Sequence, residues 1–239
     1  MLGRYRLGKD GLHIAHPDPS REELAPYTVE TPDGEATFEI DDDAILPIMG
    51  QDSPFSDDAV YRMRQILEMV WGKDQLTDSV NFVNRALSVG RSRGLKRNYT
   101  KTMEEWLVND FWDYHKKLYS VPYYGKKPIY WLFQSPEKHF QALVYMHRMD
   151  KYTVQKVRQQ YLHVFQNYLR SEIAPLEAKS DSERTNDEQK RLETLRAKVE
   201  DARAYDPILK EVADQQIEID LDDGVQENYP LFGAAVAPL

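Results

Sequence analysis

Three short groups of residues have types and spacings from which chemistry could be built. The segment at 90–94, "GRSRG", fits the Gly-x-Ser-x-Gly pattern of a serine nucleophile elbow, with Asp110 and one of His139, His147 or His163 downstream to complete a triad. Such an elbow needs a strand before it, a helix after it and small neighbours, whereas a helix-patterned segment precedes this one and an arginine flanks Ser92 on each side. A basic loop is the better reading, and a hydrolase using Ser92 is kept as an alternative. His13 and His16 could share a metal, but no third ligand stands near them. The segment "DLDDGVQE" at 220–227 is similar to a calcium loop, yet its glycine falls at the fifth position instead of the sixth and no glutamate follows at the twelfth, so a turn is expected. The spaced glycines of "GRYRLGKDG" lack the preceding strand that a phosphate-cradling loop requires. The absence of cysteine removes disulfides, thiolate metal sites and thiol nucleophiles, and suits a reducing compartment. No catalytic, cofactor-binding or metal-ligating residue is therefore assigned.

A fourth group concerns binding. The stretch "KKPIYWLFQSPEKHFQALVYMHRMD" at 126–150 packs aromatic rings and two histidines between basic residues. Rings beside lysines can stack on unpaired bases while the lysines follow phosphates. Strand alternation at 128–134 and again at 140–147 points instead to rings facing a core, leaving the flanking Lys126, Lys127, Arg148 and Lys151 as the candidate nucleic-acid contacts.

The distribution of charge supports that division. The chain of 239 residues carries a net charge of −9, which disfavours adhesion of the whole surface to phosphate backbones. Residues 10–60 hold 14 acids against Arg21 alone, and 211–227 hold 7 acids and no base. Residues 91–127 reverse the sign, with 9 bases against 4 acids, a balance of +5. A polyanion should meet this middle segment, and Arg91, Arg93, Lys96, Arg97 and Lys101 join the candidates. With 41% hydrophobic residues and no apolar run near the ~20 residues that span a bilayer, the chain reads as a soluble, cytoplasmic globular protein without a membrane partner.

The elements that must position these residues follow from periodicity. The first 50 residues, rich in Pro, Gly and Asp, suit brief strands and turns around "LHIA", "ATFEI" and "AILPIMG". Helices are expected over "SPFSDDAVYRMRQILEMVWG", capped by Ser56 and stopped by Gly72, and over "LTDSVNFVNRALSV", capped by Thr77. A third, "TMEEWLVNDFWDYHKKLY", places Met103, Trp106, Leu107, Phe111, Tyr114 and Leu118 on one apolar stripe. From Lys151 to Pro175 and again from Leu192 to Val212, apolar residues recur at three and four, predicting a long antiparallel helical hairpin. The closing "QIEIDLDDGVQENYPLFG" alternates, turns at Asp223-Gly224 and is expected to return to the body as a short strand. The fold class is thus α+β and mainly helical: a compact mixed body over 1–150 with a short antiparallel β element, the hairpin over 151–214, and a return segment over 215–239.

Taken in order, "GRYRLGKDGLHIAHPDP", "DDAILPIMG", "KKPIYWLFQSP", "FQALVYMHRMD" and "DLDDGVQENYPLFG" resemble the C-terminal region of the PglX family, adenine-specific DNA methyltransferases of type 1 bacteriophage-exclusion (BREX) defence systems. The resemblance runs over essentially the whole chain. It implies a much larger parent whose preceding domain binds S-adenosylmethionine and holds a flipped adenine with an Asn/Asp-Pro-Pro-Tyr/Phe motif. That motif is absent here; "SVPY" at 120–123 lacks the amide or carboxylate and the first proline, so no cofactor is expected in this chain. The implied role is DNA clamping and a target-recognition scaffold, with the helical hairpin as a spacer. Implied partners are double-stranded DNA and the remainder of the methyltransferase. The alternative is a protein-docking module for other defence-system proteins or a phage-encoded DNA-mimic inhibitor.

Overall fold

The protein is described by a computed structural model at residues 6–7, 13–14, 27–38, 43–88, 101–121 and 125–239. Short antiparallel pairs open the chain: β1 (Arg6–Leu7) with β2 (His13–Ile14), then the hairpin of β3 (Tyr27–Thr31) and β4 (Gly34–Phe38). Gly34, at φ 109°, takes the turn that an L side chain would strain. The hairpin reaches the next helix through Asp33, whose carboxylate accepts from the Lys73 amide at 2.6 Å.

Helix α1 (Ala59–Trp71) is capped by Asp58 and not by Ser56. The Asp58 carboxylate, fully buried, accepts from the Val60 amide at 2.9 Å and from the Met49 amide at 2.8 Å, so one side chain serves two backbone donors that a serine could not both reach. Gly72 stops α1 at φ 87°. Helix α2 (Leu76–Ser88) follows a 3₁₀ turn (Lys73–Gln75), which places Thr77 inside the helix and not at its cap. The third expected helix is two: α3 (Met103–Asn109), opened by a Thr102/Glu105 capping box, and α4 (Phe111–Leu118). Asp110, at φ −120° and ψ −20°, breaks the run. The change of axis turns Trp112, His115 and Lys116 inward and leaves Tyr114 and Leu118, expected on the apolar stripe, 49% and 62% exposed.

A three-stranded antiparallel sheet of β5 (Ile45–Pro47), β8 (Tyr130–Gln134) and β9 (Gln141–Tyr145), in the order β5-β9-β8, forms the centre. A two-residue pair, β6 (Ser120–Val121) with β7 (Gly125–Lys126), leads into it. Register pairs Trp131 with Val144 and Phe133 with Ala142, placing these on one face, while Leu132 and Leu143 share the other. Both faces are covered, which is why the strands are buried almost continuously. On the Trp131 face lie Tyr229 and Phe232, at ring distances of 5.0 and 5.4 Å, and Phe140 meets Phe165 and Tyr205. On the Leu132 face Gln141 Nε2 donates to the Val108 carbonyl of α3 at 2.9 Å, and His115 of α4 lies 5.7 Å from the Tyr130 ring.

The long hairpin is present. Its first arm runs unbroken through α5 (Thr153–Lys156), a π turn (Val157–Leu162) and α6 (His163–Glu177); its second is α7 (Asn186–Asp214), opened by a Thr185/Glu188 capping box. Residues 217–223 form no strand. The Asn228 side chain donates to the Asp220 carbonyl at 2.6 Å and closes the segment into a loop, so that Gly224 begins α8 (Gly224–Asn228) instead of sitting in a hairpin turn. A 3₁₀ stretch (Tyr229–Ala235) follows, and Val236 then bridges Phe133 while the Ala237 amide donates to the Leu132 carbonyl at 2.8 Å. The return to the body therefore comes at the last residues, beside β8. One continuous apolar cluster joins the sheet, α3, α4, both arms of the hairpin and this tail.

Candidate nucleic-acid interface

The β8–β9 register brings the two ends of the aromatic stretch together. Tyr130 pairs with Tyr145, and the Met146 amide donates to the Ile129 carbonyl at 3.0 Å, so Lys127 before β8 and Arg148 after β9 flank the same open end of the hairpin. The Lys127 amide is tied to the Tyr119 carbonyl at 3.0 Å, fixing the approach to β8 from the end of α4. Lys151 follows, its ammonium 3.6 Å from Glu218 and 5.4 Å from the centre of the exposed Tyr152 ring. All three cations are half-buried.

Between them runs a ladder of rings: His115 to Tyr130 at 5.7 Å, Tyr130 to Tyr145 at 5.0 Å and Tyr145 to His147 at 5.2 Å. His147 Nδ1 and the Tyr145 hydroxyl are 3.2 Å apart. Burial holds both imidazoles below their ordinary pKa, so neither is a cation at neutral pH and the positive charge at this end belongs to the lysines and the arginine. Such a group can position an anion.

The other expected contacts are placed differently. Lys126 belongs to β7. Lys101 is 3% exposed, its ammonium paired with Asp110 and its amide bonded to Ser88 Oγ at 2.8 Å, so it joins α2 to α3 and does not face solvent. Arg91, Arg93, Lys96 and Arg97, and Ser92 of the elbow pattern, lie outside the described residues, as does His16. Among the described residues no group of three or more His, Asp or Glu could hold a metal ion, and no helix is long and apolar enough to cross a membrane.

Three charged groups were not singled out by spacing. Asp201 of α7 is buried and accepts from Ser135 Oγ at 2.5 Å and from the Glu137 and His139 amides at 2.9 and 3.1 Å. Asp52 accepts from Arg191 at 2.5 Å and from Lys198; burial pushes its carboxyl up, but these two cations outweigh it and hold the pKa below the usual value. Asp206 receives the Arg158 guanidinium at 2.9 and 3.0 Å and His163 Nε2 at 2.7 Å. The only sequence signal for Asp201 and Asp206 is a carboxylate one residue from an apolar position of a periodic helix.

The chain is 35% identical over 243 aligned residues, 99% of its length, to the adenine-specific methyltransferase BrxX of Escherichia coli O9:H4 (strain HS). It is 30% identical over 236 residues, 96% of its length, to the adenine-specific methyltransferase PglX of Lacticaseibacillus casei (strain Zhang). No protein-family model matches. The chain spans only 19% and 18% of these two relatives. The resemblance carried by the five sequence segments is thus found along nearly the whole chain, against a small part of proteins bearing that activity.

Proposed function

We propose that this chain is a non-catalytic, DNA-gripping part of a site-specific adenine methyltransferase of bacteriophage-exclusion defence. The observation that carries the reading is the convergence of Lys127, Arg148 and Lys151 at one end of the central hairpin, continuous in sequence with a segment of balance +5 in a chain of net −9. Contacts of this kind go to phosphates: they fix position without reading sequence. Lys101, buried against Asp110, is left out of the proposal. S-adenosylmethionine and the transfer step belong, on this reading, to the part of the methyltransferase outside the chain, and the helical hairpin serves as the spacer that sets the distance between DNA grip and chemistry.

Anisotropy of a labelled mixed-sequence duplex tests it. Affinity should fall steeply between about 50 and 200 mM salt, and Lys127→Gln with Arg148→Gln should weaken binding and reduce the slope of log affinity against log salt by about two. Affinity indifferent to salt and to this pair would remove the proposal.

A further inference from the structure

The segment from 211 to 227 carries 7 acids and no base, and part of it is fastened beside the clamp of Lys127, Arg148 and Lys151. Helix α7 ends at Asp214, and Gln216, at φ 49°, turns the chain out of the helix in a conformation that Gly or Asn usually supplies. Ile217 and Ile219 then pack on the apolar cluster, while Glu218 and Asp220 are exposed. The buried Asn228 side chain donates to the Asp220 and Gly224 carbonyls at 2.6 and 2.8 Å, and the Asp222 amide donates to Asp220 Oδ1 at 3.0 Å. Val225, 5% exposed, closes the segment against the body. The isoleucines, Val225 and Asn228 thus hold Glu218, Asp220, Asp222 and Asp223 at the surface.

Two contacts set this segment at the clamp. Glu218 Oε1 lies 3.6 Å from Lys151 Nζ. On the other side, Gln226 Nε2 of α8 stands 3.9 Å from where a Cβ on Gly125 would be, against β7, the strand that leads to Lys127. The Glu218 carboxylate meets the Lys151 ammonium as a phosphate oxygen would, since both are anionic acceptors for the same donor. With side chains 40% and 74% exposed, the pair is bathed by water and opens readily.

We infer that the 217–223 loop is an autoinhibitory contact: Glu218 holds Lys151 in place of a DNA phosphate, and a duplex gains that contact only by displacing the carboxylate. The inference rests on the clamp reading above and adds to it a built-in limit on affinity. Asp220, Asp222 and Asp223 act in the same direction, because like charges repel the DNA backbone over a screening length of about 10 Å at about 0.1 M salt. An exposed pair of this kind is weak, so it lowers affinity severalfold and leaves the grip reversible. Duplex held through phosphates alone is then released unless further contacts engage it.

Duplex anisotropy with Glu218→Gln tests the inference. The variant should bind a mixed-sequence duplex about fivefold tighter at about 50 mM salt, with the slope of log affinity against log salt steeper by about one and Tm unchanged. In a Lys151→Gln background the same substitution should shift affinity by less than about twofold. A gain of equal size in both backgrounds would assign the effect to overall charge and overturn the inference. No gain from Glu218→Gln, while Lys127→Gln with Arg148→Gln weakens binding, would overturn it and leave the clamp standing. A gain that depends on Lys151, without any effect of the Lys127 and Arg148 pair, would keep the inference and overturn the assignment of those two cations. Wild type and Glu218→Gln alike binding no duplex at about 50 mM salt would overturn both.

Discussion

His115 shows how far a single residue can depart from its expected role. In the sequence it belongs to a polar, lysine-rich end of a helix; in the structure it is 5% exposed, enclosed by Phe111, Trp112, Tyr119 and Tyr130, with Nε2 unpartnered. Burial depresses its pKa below the ordinary 6.5, despite an opposing hydrogen bond that the imidazole donates to the Tyr130 backbone. A depressed imidazole means the unfolded chain takes up the proton first as pH falls. Its contribution to stability is therefore complete above about pH 6.5 and declines as pH drops from there toward the folded pKa. His147, also lowered by burial, adds to the same window. Thermal melts at about pH 7.5 and 5.5 should show a clear loss of Tm for the wild type and a smaller one for His115→Phe. An identical loss in the variant would assign the pH dependence elsewhere.

At the scale of elements, Asp201 fastens the second arm of the rod to the turn between β8 and β9. The hydroxyl of Ser135 and the amides of Glu137 and His139 all point to this one carboxylate, and His139 Nδ1 lies 3.2 Å away. Removing the acceptor strands these buried or half-buried donors, and each such donor costs about 1–3 kcal/mol. Urea unfolding of Asp201→Ala is expected to show a loss of about 3 kcal/mol or more at unchanged m-value, with a smaller loss for Asp201→Asn, which keeps one acceptor oxygen. Equal stability of wild type and Asp201→Ala would mean the rod is held by apolar packing alone. Element types along this region were legible, because Phe165, Leu169, Leu195 and Tyr205 recur at helical spacing and Trp131 alternates with Leu132 between two sheet faces. The break at Asp110 and the π turn were not, since neither Gly nor Pro marks them; each arises from what the helix must pack against.

At the scale of the whole molecule, the last residues act as a pin between layers. Tyr205 of α7 donates to the Ala235 carbonyl and Tyr229 to that of Ala237, while Trp112 Nε1 and Lys116 Nζ of α4 reach the Pro238 carbonyl at 3.2 and 3.0 Å. The tail thus joins the sheet edge, the helical layer of α4 and the rod. Deleting residues 235–239 removes four side-chain bonds at about 1 kcal/mol each and the burial of Val236. The expected cost is about 4 kcal/mol or more, roughly 8–16 °C in Tm for a chain of this size. A truncated protein melting with the wild type would show the tail to be dispensable.

Sequence by itself determined what depends on neighbours a few residues apart: the helices of strong period and the aromatic strands, that a long helical hairpin follows a short β element, and that positive charge gathers in the middle of an acidic chain, though not that 217–223 forms a loop or that the third helix divides at Asp110. Tertiary structure alone decided which of those charges reach the surface together. Lys101 and Lys127 look alike in sequence, yet Lys101 is 3% exposed against Asp110 while Lys127 is half-buried just before β8, at the end of the hairpin from which Arg148 follows β9. The difference arises because burial and pairing join residues tens of positions apart, as Asp201 joins Ser135 and Trp112 joins Pro238, and such contacts leave no periodic trace in the segment where either partner stands.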